Sequence, residues 1–151
     1  IRTLELAEIV RSVLPRQKKG HSDPATRTFQ ALRIYVNNEI GELYNALRGS
    51  EKLLQAGGIL AVVSFHSIED RIVKRFLRQR AGLSSQPSRH QPFQVEKKPT
   101  FKLVPQKPIA PDIDEINTNP RARSAKLRVA IRTSAIAEEV SSERETLNWK
   151  R

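Results

Sequence analysis

The sequence predicts an α/β fold, and three observations carry that prediction. Residues 24–47 repeat apolar side chains at helical spacing, Ile59 to Phe65 is a short apolar run rich in β-branched residues, and a second helical pattern opens directly after it at Ser67. Helix, glycine turn, buried strand and helix in that order make an αβα segment of a parallel sheet. At 151 residues the chain has the size of one domain and can bury about two-thirds of its unfolded surface. Its hydrophobic fraction of 38% is lean against the about 45–50% of average domains, so part of the chain is expected to be solvated or to lack a partner.

Taken in order, Leu6, Val10, Val13 and Leu14 follow Thr3, an N-cap residue type, and Pro15 ends the pattern, so a short helix is expected over 3–14. Arg16 to Gly20 reads as a basic connector. Asp23 and Pro24 read as N-cap and first helical position of one long helix, whose Phe29, Leu32, Val36, Ile40, Leu43 and Leu47 recur every three or four residues. Arg27, Gln30, Arg33 and Asn37 stack along its other face. A shorter helical stretch through Leu53 and Leu54 stops at Gly57 and Gly58.

The Ile59–Phe65 run reads as a central parallel strand covered on both faces. Ser67 with Asp70 forms a variant capping box for the next helix, in which Ile68, Ile72, Phe76 and Leu77 face the core. Arg71, Lys74, Arg75, Arg78 and Arg80 point away from it. Residues 82–100 are rich in Ser, Gln, Pro and basic residues and read as a long mobile loop. Phe101 to Val104 is a short strand and Asp112 to Thr118 one or two helical turns. Lys126 to Thr133 alternates, with Leu127, Val129 and Ile131 on one side and Lys126, Arg128 and Arg132 on the other, as in a half-exposed strand. Residues 134–151 form a charged tail in which Ser142 and Glu145 could cap a short helix.

Charge narrows the function classes. The 27 Lys and Arg against 16 Asp and Glu leave +11, which predicts an anionic partner. No strongly amphipathic basic helix with large exposed apolar groups is evident, so nucleic acid is favoured over anionic lipid. No apolar run approaches the about 20 residues of a membrane helix, so no membrane association is expected. The lack of cysteine rules out disulfides and thiolate sites and suits the reducing cytoplasm. The chain contains no Met and starts at Ile1, so it reads as part of a longer polypeptide. Six glycines and three histidines form no phosphate loop, dinucleotide fingerprint or metal cluster, and no self-sufficient enzyme is visible.

Three constellations remain. Asp23-Pro24-Ala25-Thr26-Arg27-Thr28-Phe29-Gln30-Ala31-Leu32-Arg33 is a helix start crowded with donors, either a phosphate or carboxylate site or an ordinary capped helix with solvated arginines. Ser64-Phe65-His66-Ser67-Ile68-Glu69-Asp70-Arg71 lies where a strand turns into a helix, the favoured ground for ligands in α/β sheets. There His66 either orients a base or shuttles a proton, or it is a satisfied structural histidine with Glu69 and Asp70 merely complementing the helix dipole. Asn117-Thr118-Asn119-Pro120-Arg121-Ala122-Arg123-Ser124 brings two arginines into the alternating strand, and in an extended segment Arg121 and Arg123 point the same way and can grip phosphates.

In combination, Asp23 to Arg33, Ser64 to Phe76 and Asn119 to Arg128 closely resemble the bacterial small-subunit ribosomal RNA cytosine-N4 methyltransferases of the MraW family, and the likeness runs from Ile1 to about Thr133. The resemblance implies the C-terminal half of a Rossmann-like class I methyltransferase sheet plus the end of a helical insert. Residues 1–22 would be the end of the insert and a connector, 23–133 the C-terminal half of the methyltransferase domain, and 134–151 the tail. Ile59–Phe65 would be the fifth strand, with Phe101–Val104 and Lys126–Thr133 the antiparallel sixth and seventh. It implies S-adenosyl-L-methionine as methyl donor, held by residues upstream of Ile1, and N4-methylation of a cytidine, with this piece inactive alone. His66 and Asp70 would line or orient the catalytic pocket. Arg27, Gln30, Arg33, Arg71, Lys74, Arg75, Arg78, Asn119, Arg121 and Arg123 would position or grip small-subunit ribosomal RNA. The rival reading is a non-catalytic basic RNA-binding module. Either way, a sheet cut at the fifth strand leaves an open edge, so self-association into a homo-oligomer is expected.

Overall fold

A computed structural model describes residues 2–14, 23–83 and 98–137. The elements run α1 (Thr3–Val13), α2 (Ala25–Val36), α3 (Glu39–Leu53), β1 (Ile59–Ser64), α4 (Ser67–Arg80), β2 (Phe101–Leu103), α5 (Ile113–Thr118), a 3-10 helix (Pro120–Ser124) and β3 (Lys126–Arg132). They form two compact units, Ile1–Glu42 and Leu43–Arg151.

In the first unit α1 and α2 bury their small residues Ala7 and Ala25. Thr3 is the first helical residue of α1 rather than its cap: Arg2 holds the cap position and donates its backbone N–H to Glu5 Oε2 at 3.0 Å. Arg11 closes on Asp23 through two nitrogens, at 2.9 and 2.6 Å. The long helix expected from Pro24 to Leu47 is two helices. Asn38 sits in the left-handed region at φ 48°, a conformation Asn tolerates better than most residues, and ends the first run. A Cβ at Gly41 would lie 2.5 Å from Asn38 Nδ2, so glycine there makes room for the turn. Arg33 reaches across the break to Glu39 at 2.8 Å. The apolar period carries straight through this break because a two-residue turn hardly disturbs spacing. The separate stretch expected at Leu53 is the last turn of α3.

The second unit is built on a three-stranded sheet of order β1-β3-β2, with β3 antiparallel to both neighbours. Ile59 pairs with Ile131 and Ser64 with Lys126, while Phe101 pairs with Arg132. The fold class is α/β as expected, but the central parallel strand covered on both faces is not what the described residues contain: β1 is an outer strand whose only described neighbour runs antiparallel. Gly57, at φ 84°, makes the turn into it and donates its N–H to Arg132 O at 2.8 Å.

One sheet face carries the core. Leu60, Val62, Leu103, Phe101 and Ala130 meet Leu47 of α3 and Val73, Phe76 and Leu77 of α4. Phe76 stands edge-on to Tyr44 and tilted to Phe101, each at 6.3 Å between ring centres. The opposite face, carrying Ile59, Ala61 and Val63 beside Leu127, Val129 and Ile131, has no covering element among the described residues of this unit, where Ile59 and Val63 are 65% and 54% exposed. The alternation of β3 is therefore present with its faces exchanged, for Arg128 and Arg132 point under the helices and the aliphatic residues look outward. This is possible because both guanidiniums find partners. Arg132 donates to Glu51 O at 2.8 Å and to Thr100 O and Thr133 O at 3.0 Å, and lies 5.9 Å from the Phe101 ring.

Arg80, expected on the outer basic face of α4, is likewise buried. Its Nε donates to Glu51 Oε2 at 2.9 Å and its guanidinium lies 5.2 Å from the Phe76 ring, while Thr100 Oγ1 donates to Glu51 Oε1 at 2.6 Å. Thus the loop expected over 82–100 is anchored at its described ends. Leu83 N–H binds Arg78 O and Thr100 N–H binds Arg80 O, both at 2.8 Å. Residues 84–97, the connector over 15–22 and the tail beyond 137 lie outside the described residues.

Candidate nucleic-acid interface

In the second unit, two sequence-selected residues, His66 and Asp70, lie at the corner where β1 ends and α4 begins. The capping box expected from Ser67 and Asp70 is displaced by one residue. His66, extended at φ −138°, is the N-cap, and its Nδ1 accepts the N–H of Glu69 at 3.3 Å. Glu69 answers through Oε2, which accepts the N–H groups of Phe65 at 3.0 Å and His66 at 3.3 Å. Its extra methylene lets Glu reach back where Asp70 would fall short. The cap bond leaves Nδ1 unprotonated, so in the neutral ring the hydrogen sits on Nε2. That atom is buried, 3.1 Å from Glu69 Oε1, but misaligned for a hydrogen bond.

Asp70, freed from capping, turns to β3. Arg128 grips it with Nε on Oδ1 at 2.8 Å and Nη2 on Oδ2 at 3.2 Å, and Lys126 Nζ stands 3.4 Å from Oδ2. Burial pushes the carboxyl pKa up, but the guanidinium of Arg128 and the ammonium of Lys126 together outweigh it and hold the group below its ordinary value. Asp70 is thus an ionised clasp between α4 and β3.

Along α4, Arg71, Lys74, Arg75 and Arg78 are exposed, at the one-turn spacing of a single helix face. Arg78 Nη2 also donates to Leu83 O at 2.8 Å. Preceding β3, the segment expected to be extended is a 3-10 helix capped by Asn119, whose Oδ1 accepts the Arg121 N–H at 3.2 Å. At about three residues per turn, Arg121 and Arg123 project about 120° apart and do not point the same way. Both are exposed, and buried Ala122 between them anchors the turn.

Arg27, Gln30 and Arg33 lie on α2, in the first unit. Arg27 is exposed, Gln30 half-buried and Arg33 paired with Glu39. The anion position at the start of α2 is filled from within. Asp23 Oδ1 accepts the Ala25 N–H at 2.8 Å, and the carboxyl is held below its ordinary pKa first by its hydrogen bond from Arg11, then by that backbone bond. Lys126, Arg128 and Glu51 were not selected from sequence as site or clasp residues. Their partners lie between 29 and 81 positions away, and no local pattern records them.

The described strand-to-helix connections, β1 to α4 and β2 to α5, contain no glycine. Neither turn carries the glycine-lined backbone that closes on a nucleotide cofactor in α/β sheets. No helix among the described residues is long and apolar enough to cross a membrane.

Comparison with known proteins adds to this geometry. The model of the MraW methylase family matches residues 1–133. The ribosomal RNA small subunit methyltransferase H of Paramagnetospirillum magneticum is 57% identical over 143 residues, which are 93% of this chain and 45% of that protein. The proteins of the same name from Jannaschia sp. and Parvibaculum lavamentivorans are each 54% identical, covering 93% and 90% of this chain and 43% and 40% of their own lengths. The chain spans less than half the length of these curated relatives.

Proposed function

Because the chain belongs to the MraW methylase family, we propose that it forms the RNA-gripping, corner-building portion of an S-adenosylmethionine-dependent enzyme that methylates the exocyclic N4 of a cytidine in small-subunit ribosomal RNA. The observation that carries this reading is the β1–α4 corner, which Asp70 and Arg128 lock to β3 while the cations of α4 and the 3-10 helix stay exposed around it. In this reading the three strands are the closing part of a Rossmann-like sheet, which the antiparallel placement of β3 between β1 and β2 supports. The methyl donor belongs to the part of the longer relatives that this chain does not span, so the chain alone is inactive.

The N4 lone pair of cytosine is delocalised into the ring, and orientation is what a protein can supply to it. His66 and Asp70 act as positioning residues: the first fixes the corner backbone through the cap, the second holds the corner to the sheet. Arg71, Lys74, Arg75, Arg78, Arg121 and Arg123 hold phosphates, and Arg27, Gln30 and Arg33 position RNA from the first unit. Asn119 orients the arginine turn.

Two titrations test this. Fluorescence anisotropy with a small-subunit RNA fragment is expected to show binding that weakens steeply with NaCl, and replacing Arg121 and Arg123 together by Ala is expected to reduce the salt slope by about one to two units. No binding, or an unchanged slope, would remove this surface from the interface. Calorimetric titration of the chain with S-adenosylmethionine is expected to give no heat. Saturable heat would overturn the division of labour, and RNA binding by relatives that never methylate would favour the plain RNA-binding module.

A further inference from the structure

We infer that Lys126 is an additional phosphate-binding residue, so that an RNA backbone passes over the seam between α4 and the start of β3. The inference rests on the RNA-gripping reading above and extends it to a residue that the sequence pattern placed only in a strand.

Two cations address one carboxylate at this seam, and they are not equivalent. Arg128 spends Nε and Nη2 on Asp70 at 2.8 and 3.2 Å, and only 10% of its side chain is exposed. Lys126 makes one contact, at 3.4 Å, well beyond the about 2.7–2.9 Å of a strong charge-assisted bond, and 45% of its side chain is exposed. Arg128 alone neutralises Asp70. The Lys126 ammonium, with three donors of which one leans on Asp70, is therefore left as net positive charge facing solvent.

The backbone beneath it is fixed. Lys126 pairs with Ser64, the last residue of β1, and Ser64 Oγ donates to Lys126 O at 3.4 Å. The ammonium thus stands at the carboxyl end of β1, where ligands of α/β sheets gather, one helical position from exposed Arg71 through its Asp70 contact. Arg123 is three residues upstream and exposed, within about 10 Å of chain. An anion reaching this seam would draw Lys126 off Asp70 while Arg128 keeps the carboxylate paired, so binding leaves no buried charge uncompensated. Phosphate is the matching ligand, because a lone ammonium is a point charge without the planar fork that reads carboxylates or base edges.

The test uses the full chain and a short fluorescein-labelled single-stranded RNA, with the DNA of the same sequence as a second probe. Lys126→Gln is expected to weaken both probes about equally, several-fold at low salt, and to reduce the salt slope by about 0.7 to 0.9, while Lys126→Arg restores slope and affinity. The melting curve of Lys126→Gln is expected to match wild type, since Arg128 still holds Asp70. If wild type binds with a steep slope and Lys126→Gln does the same, this inference falls and the RNA-gripping reading stands. A loss seen with the RNA but not with the DNA would overturn the phosphate role in favour of a contact to the ribose 2′-hydroxyl. Failure of the wild-type chain to bind either probe overturns both.

Discussion

Asp70 and Glu51 are both buried acids held by arginine, yet different surroundings give them different duties. Glu51 is enclosed with Arg80, Thr100 and Arg132 among aromatic rings, each polar atom answered, and it ties the ends of α3 and α4 to β2 and β3. Asp70 sits at the margin, where one of its two cations remains exposed. Its lowered pKa has a definite consequence for stability. As pH falls below about 3.9 the unfolded chain takes up this proton before the folded one, so the contribution of Asp70, complete at neutral pH, is lost downward through its lower folded value. Asp70→Asn is expected to cost about 2–4 kcal/mol at pH 7, because Arg128 keeps its burial and loses its charge partner. It should also flatten the fall of thermal midpoint between about pH 4 and pH 2. Melting curves across that range check both, and parallel profiles for the two proteins would remove the clasp.

The two faces of β1 behave differently despite similar residues. Leu77 of α4 is 1% exposed against the covered face, whereas Val63 on the other face is 54% exposed. Leu77→Ala is expected to cost about 2–5 kcal/mol and Val63→Ala under about 1, read as denaturation midpoints, and equal losses would mean that the outward face is covered in solution. Here the limits of the sequence are physical. The helices, the β1 and β3 runs and the glycine turn were legible because burial imposes a period. The break at Asn38 was not, since a two-residue turn preserves that period, and neither was the inward face of β3. Apolar alternation marks two sides without saying which is covered once Arg128 and Arg132 find partners 58 and 81 residues away. Likewise, the constellation at 64–71 was correctly located as a corner, but the cap falls on His66 rather than Ser67 because Glu69 outreaches Asp70.

At the scale of the whole molecule, a net charge of +11 and an aliphatic sheet face of Ile59, Ala61 and Val63 pull in opposite directions. Like charge keeps copies apart at low salt, while the outward face and the outer edge of β1 invite contact. The chain is therefore expected to self-associate when it is concentrated at high salt. Light scattering on a gel-filtration column checks this, and a strict monomer under those conditions counts against it. The Glu51 cluster sets another boundary. Its bonds join backbone and side chains from Glu51 to Thr133, so trimming inside either residue strands a buried guanidinium. Chain on the two sides of 84–97 is thereby fastened by interlocked side chains as well as by the sheet, so the described parts would stay bolted together without a continuous backbone between them.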